Sequence, residues 1–170
     1  FEWIEKLDIK KSIFSEFDDR MGPNTIFASN TSSFPIESLC EHLSSERQKR
    51  FIGLHFFNPA TIMKLVEIIS SKYTDSKLAT DLYTWFDKLG KKPAKCKDSP
   101  GFIVNRVARN FYGEALRIAD ENDPEKFRQI DTIMKEVAGF RMGPYELMDL
   151  IGIDINYDVT CSVWQAFGQI

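Results

Sequence analysis

With 170 residues, 43% of them hydrophobic and 14 of them Phe, the chain can fold as one domain or two small ones around a core of its own. Its formal charge of -3 is spread over interspersed residues of both signs, so no basic stripe is present to track a nucleic-acid backbone. No apolar run reaches the length needed to span a bilayer.

In chain order, residues 2–20 read as a helix. Ile4, Leu7, Phe14 and Phe17 fall roughly on one face, and Gly22-Pro23-Asn24 breaks it. Residues 25–28 form a short buried strand, and the polar run 30–33 caps the segment after it. Residues 34–43 suggest a short helix with Pro35 near its start, and the polar segment 41–48 suggests a surface loop. Residues 51–56 and 64–69 are apolar strands, with Asn58-Pro59 opening the turn between them. Leu78, Leu82, Trp85, Phe86 and Leu89 repeat at helical spacing over residues 75–89, and Gly90 ends that helix. Residues 93–97 are a further strand. Lys91, Lys92, Lys95 and Lys97 read as its solvated edge.

From Pro100 the periodicity is helical throughout. Ile103, Val107, Phe111, Ala115 and Ile118 form one apolar stripe, and Ile130, Ile133, Met134 and Val137 a second. Tyr145, Leu147, Met148 and Ile151 form a third, and a fourth runs from Ile155 towards Phe167. The expected architecture is therefore α/β over residues 1–98 and all-α over residues 99–170.

The chemistry-bearing residues are few. The chain has two histidines, and His55 closes the apolar run Phe51-Ile-Gly-Leu-His55. Glu67 sits inside the next one, Leu65-Val-Glu-Ile-Ile69. A histidine at a strand end with a carboxylate on the neighbouring strand is how an imidazole base is held. The plainer alternatives are a buried histidine bonded to backbone, and a glutamate on the outward face of an edge strand. Asn105, early in the helix after Pro100-Gly101, also reads as an ordinary polar residue of an amphipathic helix. Ser32 and Ser33 read as a cap or turn, and Asn58 as part of its turn. Glu5 and Lys10 read as a solvated helix face. Cys40, Cys96 and Cys161 lack metal-ligand spacing, so reduced structural thiols and no metal site are expected.

Five segments add to this. Ser29-Asn-Thr-Ser-Ser33, His55-Phe-Phe-Asn-Pro59, Met63-Lys-Leu-Val-Glu67, Asp98-Ser-Pro-Gly-Phe-Ile-Val-Asn-Arg106 and Met142-Gly-Pro-Tyr-Glu-Leu147 occur in that order. Together they resemble the L-3-hydroxyacyl-CoA dehydrogenases, from about Glu2 to Asp154. The resemblance implies the rear part of a Rossmann-type NAD-binding domain followed by an incomplete helical dimerisation domain. It implies reversible, NAD-dependent oxidation of L-3-hydroxyacyl-CoA to 3-oxoacyl-CoA, as in fatty acid β-oxidation or short-chain acyl-CoA metabolism.

By the same resemblance His55 is the general base and Glu67 orients it. Ser32 and Asn105 face the substrate near the reacting oxygen. Glu5, Lys10, Asn30 and Ser32 reach the cofactor, and Lys10 and Asn58 lie near the substrate. Ser32, His55, Glu67 and Asn105 are expected to converge on one cleft. A homodimer through the helical part is implied, located in a bacterial cytoplasm or a mitochondrial matrix. The family's GxGxxG loop is not found in this sequence, so the chain is expected to be a piece of a longer dehydrogenase that binds NAD poorly and is inactive by itself. Two other readings stand beside this one: a related sugar-acid dehydrogenase of gulonate type, and a non-catalytic dimerisation or CoA-binding module.

Overall fold

The structure is a computed structural model that describes residues 6–32, 34–119 and 123–168. It divides into two compact units, Phe1–Ile103 and Val104–Ile170.

The first unit runs α1 (Leu7–Arg20), β1 (Phe27–Ser29), α2 (Ile36–Cys40), α3 (Ser45–Lys49), β2 (Phe51–Phe56), β3 (Leu65–Ser70), α4 (Ser76–Lys88) and β4 (Lys92–Lys97). The strands form one sheet in the order β1-β2-β3-β4. β1 and β2 are parallel and joined through helices, the usual crossover between parallel neighbours. β2 and β3 are antiparallel, and β3 and β4 parallel across α4.

Side chains alternate across the sheet, and each face has its own core. Phe27, Phe51, Ile69 and Cys96 pack with Phe14 of α1 and with Ile36 and Leu39 of α2. On the opposite face Ile52, Val66 and Ile68 pack with Ala79 and Phe86 of α4. A Cβ at Gly53 would lie 2.7 Å from Ile36 and 2.9 Å from the Ile69 Cβ, so α2 rests on the bare backbone of β2.

Three details differ from the sequence reading. β1 begins at Phe27 and not at Thr25. Residues 41–48 are not a plain surface loop, because they enter α3 and bury Arg47 to 3% exposure. The Arg47 guanidinium donates to Asp18 at 2.7 Å, to the Met21 and Gly22 carbonyls at 3.2 and 3.1 Å, and to Thr25 O. It also stacks 4.2 Å above the Phe27 ring, so one cation gathers the whole α1–β1 connection. Third, the first amides of α2 are not capped by the polar run before it. Ile36 N and Glu37 N both donate at 2.7 Å to the carboxylate of Asp98, about sixty residues away.

The second unit holds α5 (Val104–Ile118), α6 (Pro124–Glu136), α7 (Pro144–Ile151) and α8 (Ile153–Phe167). α5 buries Arg109, Tyr112 and Ala115, whereas Val107 and Ile118 of the expected stripe are 66% and 62% exposed. Arg109 donates to Asn156 O, Asn156 Oδ1 and Thr160 Oγ1 at 2.7–3.0 Å, which ties α5 to α8. The buried Asp131 of α6 accepts from Tyr145 N and Glu146 N and so caps α7. A Cβ at Gly143 would overlap Asp131, so that capping contact requires glycine. Among the described residues no helix is long and apolar enough to cross a membrane.

Candidate active site

His55 lies next to the end of β2, and the strand register sets it directly opposite Glu67 of β3. Opposed residues of an antiparallel pair project to the same face and come close enough to bond. His55 Nδ1 is 2.7 Å from Glu67 Oε2, with His55 5% exposed and Glu67 fully buried. A carboxylate so enclosed needs all its lone pairs answered. Its second oxygen, Oε1, accepts from the backbone N–H of Ile103 at 3.0 Å.

An ionised carboxylate only accepts, so the tautomer that suits this contact has its proton on Nδ1 and its lone pair at Nε2. Ser32 Oγ stands 3.2 Å from that atom. The result is a chain of three polar side chains, Glu67–His55–Ser32, running from the buried end to a half-buried hydroxyl. Phe57 and Phe102 flank the imidazole with ring centroids 4.7 and 5.8 Å away. Phe102 has a positive φ of 44°, the turn from which the Ile103 amide is presented.

The loop that carries Ser32 is organised residue by residue. Ser29 Oγ accepts from Thr31 N, the buried Thr31 accepts from Phe34 N through its hydroxyl, and Asn30 Oδ1 accepts from Phe56 N at 2.8 Å. Part of Ser29-Asn-Thr-Ser-Ser33 is thus the turn cluster its composition suggests, with Ser32 directed to the histidine.

The other singled-out residues fare differently. Lys10 is not on a solvated face: it is fully buried. Glu5 and Ser33 lie outside the described residues. Asn58 is exposed in the turn after β2, before Pro59. Asn105 belongs to the helical unit, in the first turn of α5, half-buried, with its carbonyl accepting from Arg109. Burial pushes the Cys40 and Cys96 thiols up, to about 11 and about 12, with Glu67's charge adding to the rise at Cys96. Neither thiol is a nucleophile at neutral pH. Among the described residues no group of His, Cys, Asp or Glu is arranged to hold a metal ion.

Phe102 and the amide of Ile103 escaped the sequence reading, as did the capping role of Asp98. All three lie in the segment Asp98-Ser-Pro-Gly-Phe-Ile103. Its Pro-Gly pair signals a turn but not what the turn touches.

The chain matches two family models. The 3-hydroxyacyl-CoA dehydrogenase NAD binding domain covers residues 2–99, and the C-terminal domain of the same enzymes covers residues 101–169. It is 44% identical over 167 residues to the 3-hydroxyadipyl-CoA dehydrogenase of Escherichia coli (strain K12), covering 97% of this chain and 34% of that one. To the mitochondrial hydroxyacyl-coenzyme A dehydrogenase of Homo sapiens it is 46% identical over 151 residues, covering 89% and 47%. The solved 3-hydroxybutyryl-CoA dehydrogenase of Escherichia coli K12 superposes with a TM-score of 0.88 at 43% identity, over 98% of this chain and 35% of that one. The chain thus spans between a third and a half of the length of these relatives. An α/β unit with an imidazole–carboxylate pair at its strand ends, a helical unit after it and two consecutive family matches lead to one statement: the chain belongs to the 3-hydroxyacyl-CoA dehydrogenase family.

Proposed function

We propose that this chain contributes the acid–base machinery of an NAD-dependent dehydrogenase that interconverts L-3-hydroxyacyl-CoA and 3-oxoacyl-CoA. The observation that carries the reading is the Glu67–His55–Ser32 chain, with distances of 2.7 and 3.2 Å. His55 takes the proton of the substrate hydroxyl at Nε2. Glu67 keeps the proton on Nδ1 and stabilises the imidazolium that forms. Ser32 and Asn105 hold the reacting oxygen by hydrogen bonds.

The loop of Ser32 beside the His55 ring fits the nicotinamide end of a dinucleotide, and the family resemblance adds Glu5 and Lys10 as cofactor and thioester contacts. When bound, NAD supplies the hydride acceptor for C3. Asn58, in the turn after β2, is assigned to the substrate side. The acyl-CoA substrate is supported by relatives named for hydroxyacyl-CoA and 3-hydroxyadipyl-CoA chemistry. Those relatives, one bacterial and one mitochondrial, also support a bacterial cytoplasm or a mitochondrial matrix as the compartment.

A homodimer through the helical unit, residues 99–170 in the division proposed from sequence, accounts for its outward apolar surface. Val107, Val137, Leu150 and Ile153 are each at least 66% exposed, more than a small monomer usually leaves in contact with water. Light scattering on the whole protein reads the dimer directly; a monomer mass at micromolar concentration refutes it.

The catalytic reading is tested by His55→Gln in the whole protein, with NAD reduction followed on an L-3-hydroxyacyl-CoA. Turnover should fall roughly 100- to 10,000-fold while substrate affinity changes much less. Turnover close to the parent's would end the proposal.

A further inference from the structure

We propose that Asn30 is a positioning residue for the acid–base pair, latching the loop that bears Ser32 onto the end of β2 that bears His55. This rests on the reading of His55 as the base.

β1 and β2 pair in parallel only as far as Ser29 and Gly53. β2 continues to Phe56, while the segment after β1 turns away towards α2. At that point the Phe56 amide donates to Asn30 Oδ1 at 2.8 Å. A side-chain oxygen therefore extends the contact between the two strand ends after the backbone ladder has stopped.

Both ends of this bond adjoin the chemistry. Phe56 is the residue after His55, and Asn30 stands two residues before Ser32. Between Asn30 and Ser32 the chain is stiffened by the buried Thr31, whose hydroxyl accepts from Phe34 N at 3.1 Å. The Asn30 bond thus closes a small ring of structure whose far side is the 3.2 Å contact between Ser32 Oγ and His55 Nε2. That contact is already long for a hydroxyl donor, so a drift of a few tenths of an ångström breaks it. Asn30 is itself exposed and belongs to neither core, so its replacement leaves the packing of the sheet intact.

Kinetics on the whole protein separate this role from a ribose contact. Asn30→Ala should lower kcat roughly 10- to 100-fold, the scale of a misplaced reacting group, and leave KM for NAD nearly unchanged. Adding Asn30→Ala to Ser32→Ala should cost little beyond Ser32→Ala alone, because both remove the same contact. Hydrogen exchange at the Phe56 amide should quicken in Asn30→Ala. Asn30→Asp, which keeps an acceptor oxygen, should slow that exchange again and recover much of kcat. A raised KM for NAD with kcat intact would make Asn30 a cofactor contact and overturn the proposal. So would full additivity with Ser32→Ala, or no change in either constant. His55→Gln serves as the control: if it retains turnover, the reading of the base itself has failed. If it is inactive while Asn30→Ala is fully active, only the positioning role is lost.

Discussion

Replacing Glu67 by Gln exchanges one oxygen for NH2 and disturbs two donors at once. Glu67 Oε2 receives the His55 Nδ1 proton at 2.7 Å, and Oε1 receives the Ile103 amide at 3.0 Å. A glutamine of the same shape has one acceptor oxygen and one donor NH2. The backbone N–H of Ile103 cannot become an acceptor, whereas imidazole can change tautomer. The amide oxygen therefore goes to Ile103, and the NH2 faces Nδ1. The ring proton moves to Nε2, where it blocks the atom proposed to take the substrate proton. If the glutamine turns the other way, two donors oppose each other at a fully buried site, which costs about 1–3 kcal/mol of stability.

In the first, favoured orientation Glu67→Gln removes the proposed base, so turnover should fall within the same roughly 100- to 10,000-fold range as His55→Gln. Charge support alone would suggest a milder effect. The occupied second oxygen is what makes the loss severe. Steady-state rates on the whole protein measure this, and the nitrogen-15 shifts of the His55 ring report the tautomer. A Gln variant that keeps most of its turnover, or one whose ring proton remains on Nδ1, refutes the reasoning.

Two more outcomes concern the scaffold. Burial acts to raise the Asp18 pKa, but hydrogen bonds from Arg47 and Ser44 outweigh it and hold the carboxyl below its ordinary value. Its contribution to stability is therefore fully present above the ordinary carboxylate pKa and is lost as pH falls through the lowered one. Arg47→Ala should remove this acid-sensitive part and destabilise the α/β unit by about 3 kcal/mol or more, as seen when a buried ion pair loses one partner; denaturant titration at neutral and acidic pH reads both effects. Gly143→Ala should destabilise the helical unit by about 3 kcal/mol, because the added methyl overlaps Asp131 and displaces the cap of α7. An unchanged denaturation midpoint would show that the turn before α7 yields more easily than the structure implies.

Much of the site is legible in the residues because the chain spends so few polar groups on its apolar strands. His55 closes one such run and Glu67 interrupts the next, and a buried charge among Leu, Val and Ile needs a partner. Ser32 is less legible. In Ser29-Asn-Thr-Ser-Ser33 every residue can cap or turn, and only resemblance to a family singles one out. The Arg47 clamp is hidden for the opposite reason: in Ser45-Glu-Arg-Gln-Lys49 a buried arginine has the same neighbours as an exposed one. The expected stripe of α5, whose Val107 and Ile118 face outward while Ala115 is buried, shows a third limit. Spacing of i, i+4 identifies a face, but the face that packs on α8 is the one carrying Arg109 and its bonds to Asn156 and Thr160.

By itself the sequence determines the order of elements apart from α3, the change from α/β to all-α near residue 98, and which imidazole and which carboxylate are the candidates for a base and its partner. These depend on local periodicity and on the rarity of polar residues in apolar runs, both of which are properties of neighbouring positions. Only the tertiary structure decides that His55 and Glu67 face each other. A slip of one residue in the β2–β3 register would turn one of them to the opposite face, and nothing within either strand forbids it. The Asp98 cap on α2 and the Ile103 amide on Glu67 likewise join positions 62 and 36 residues apart. Such bonds are set by where the folded chain returns, which no local pattern records.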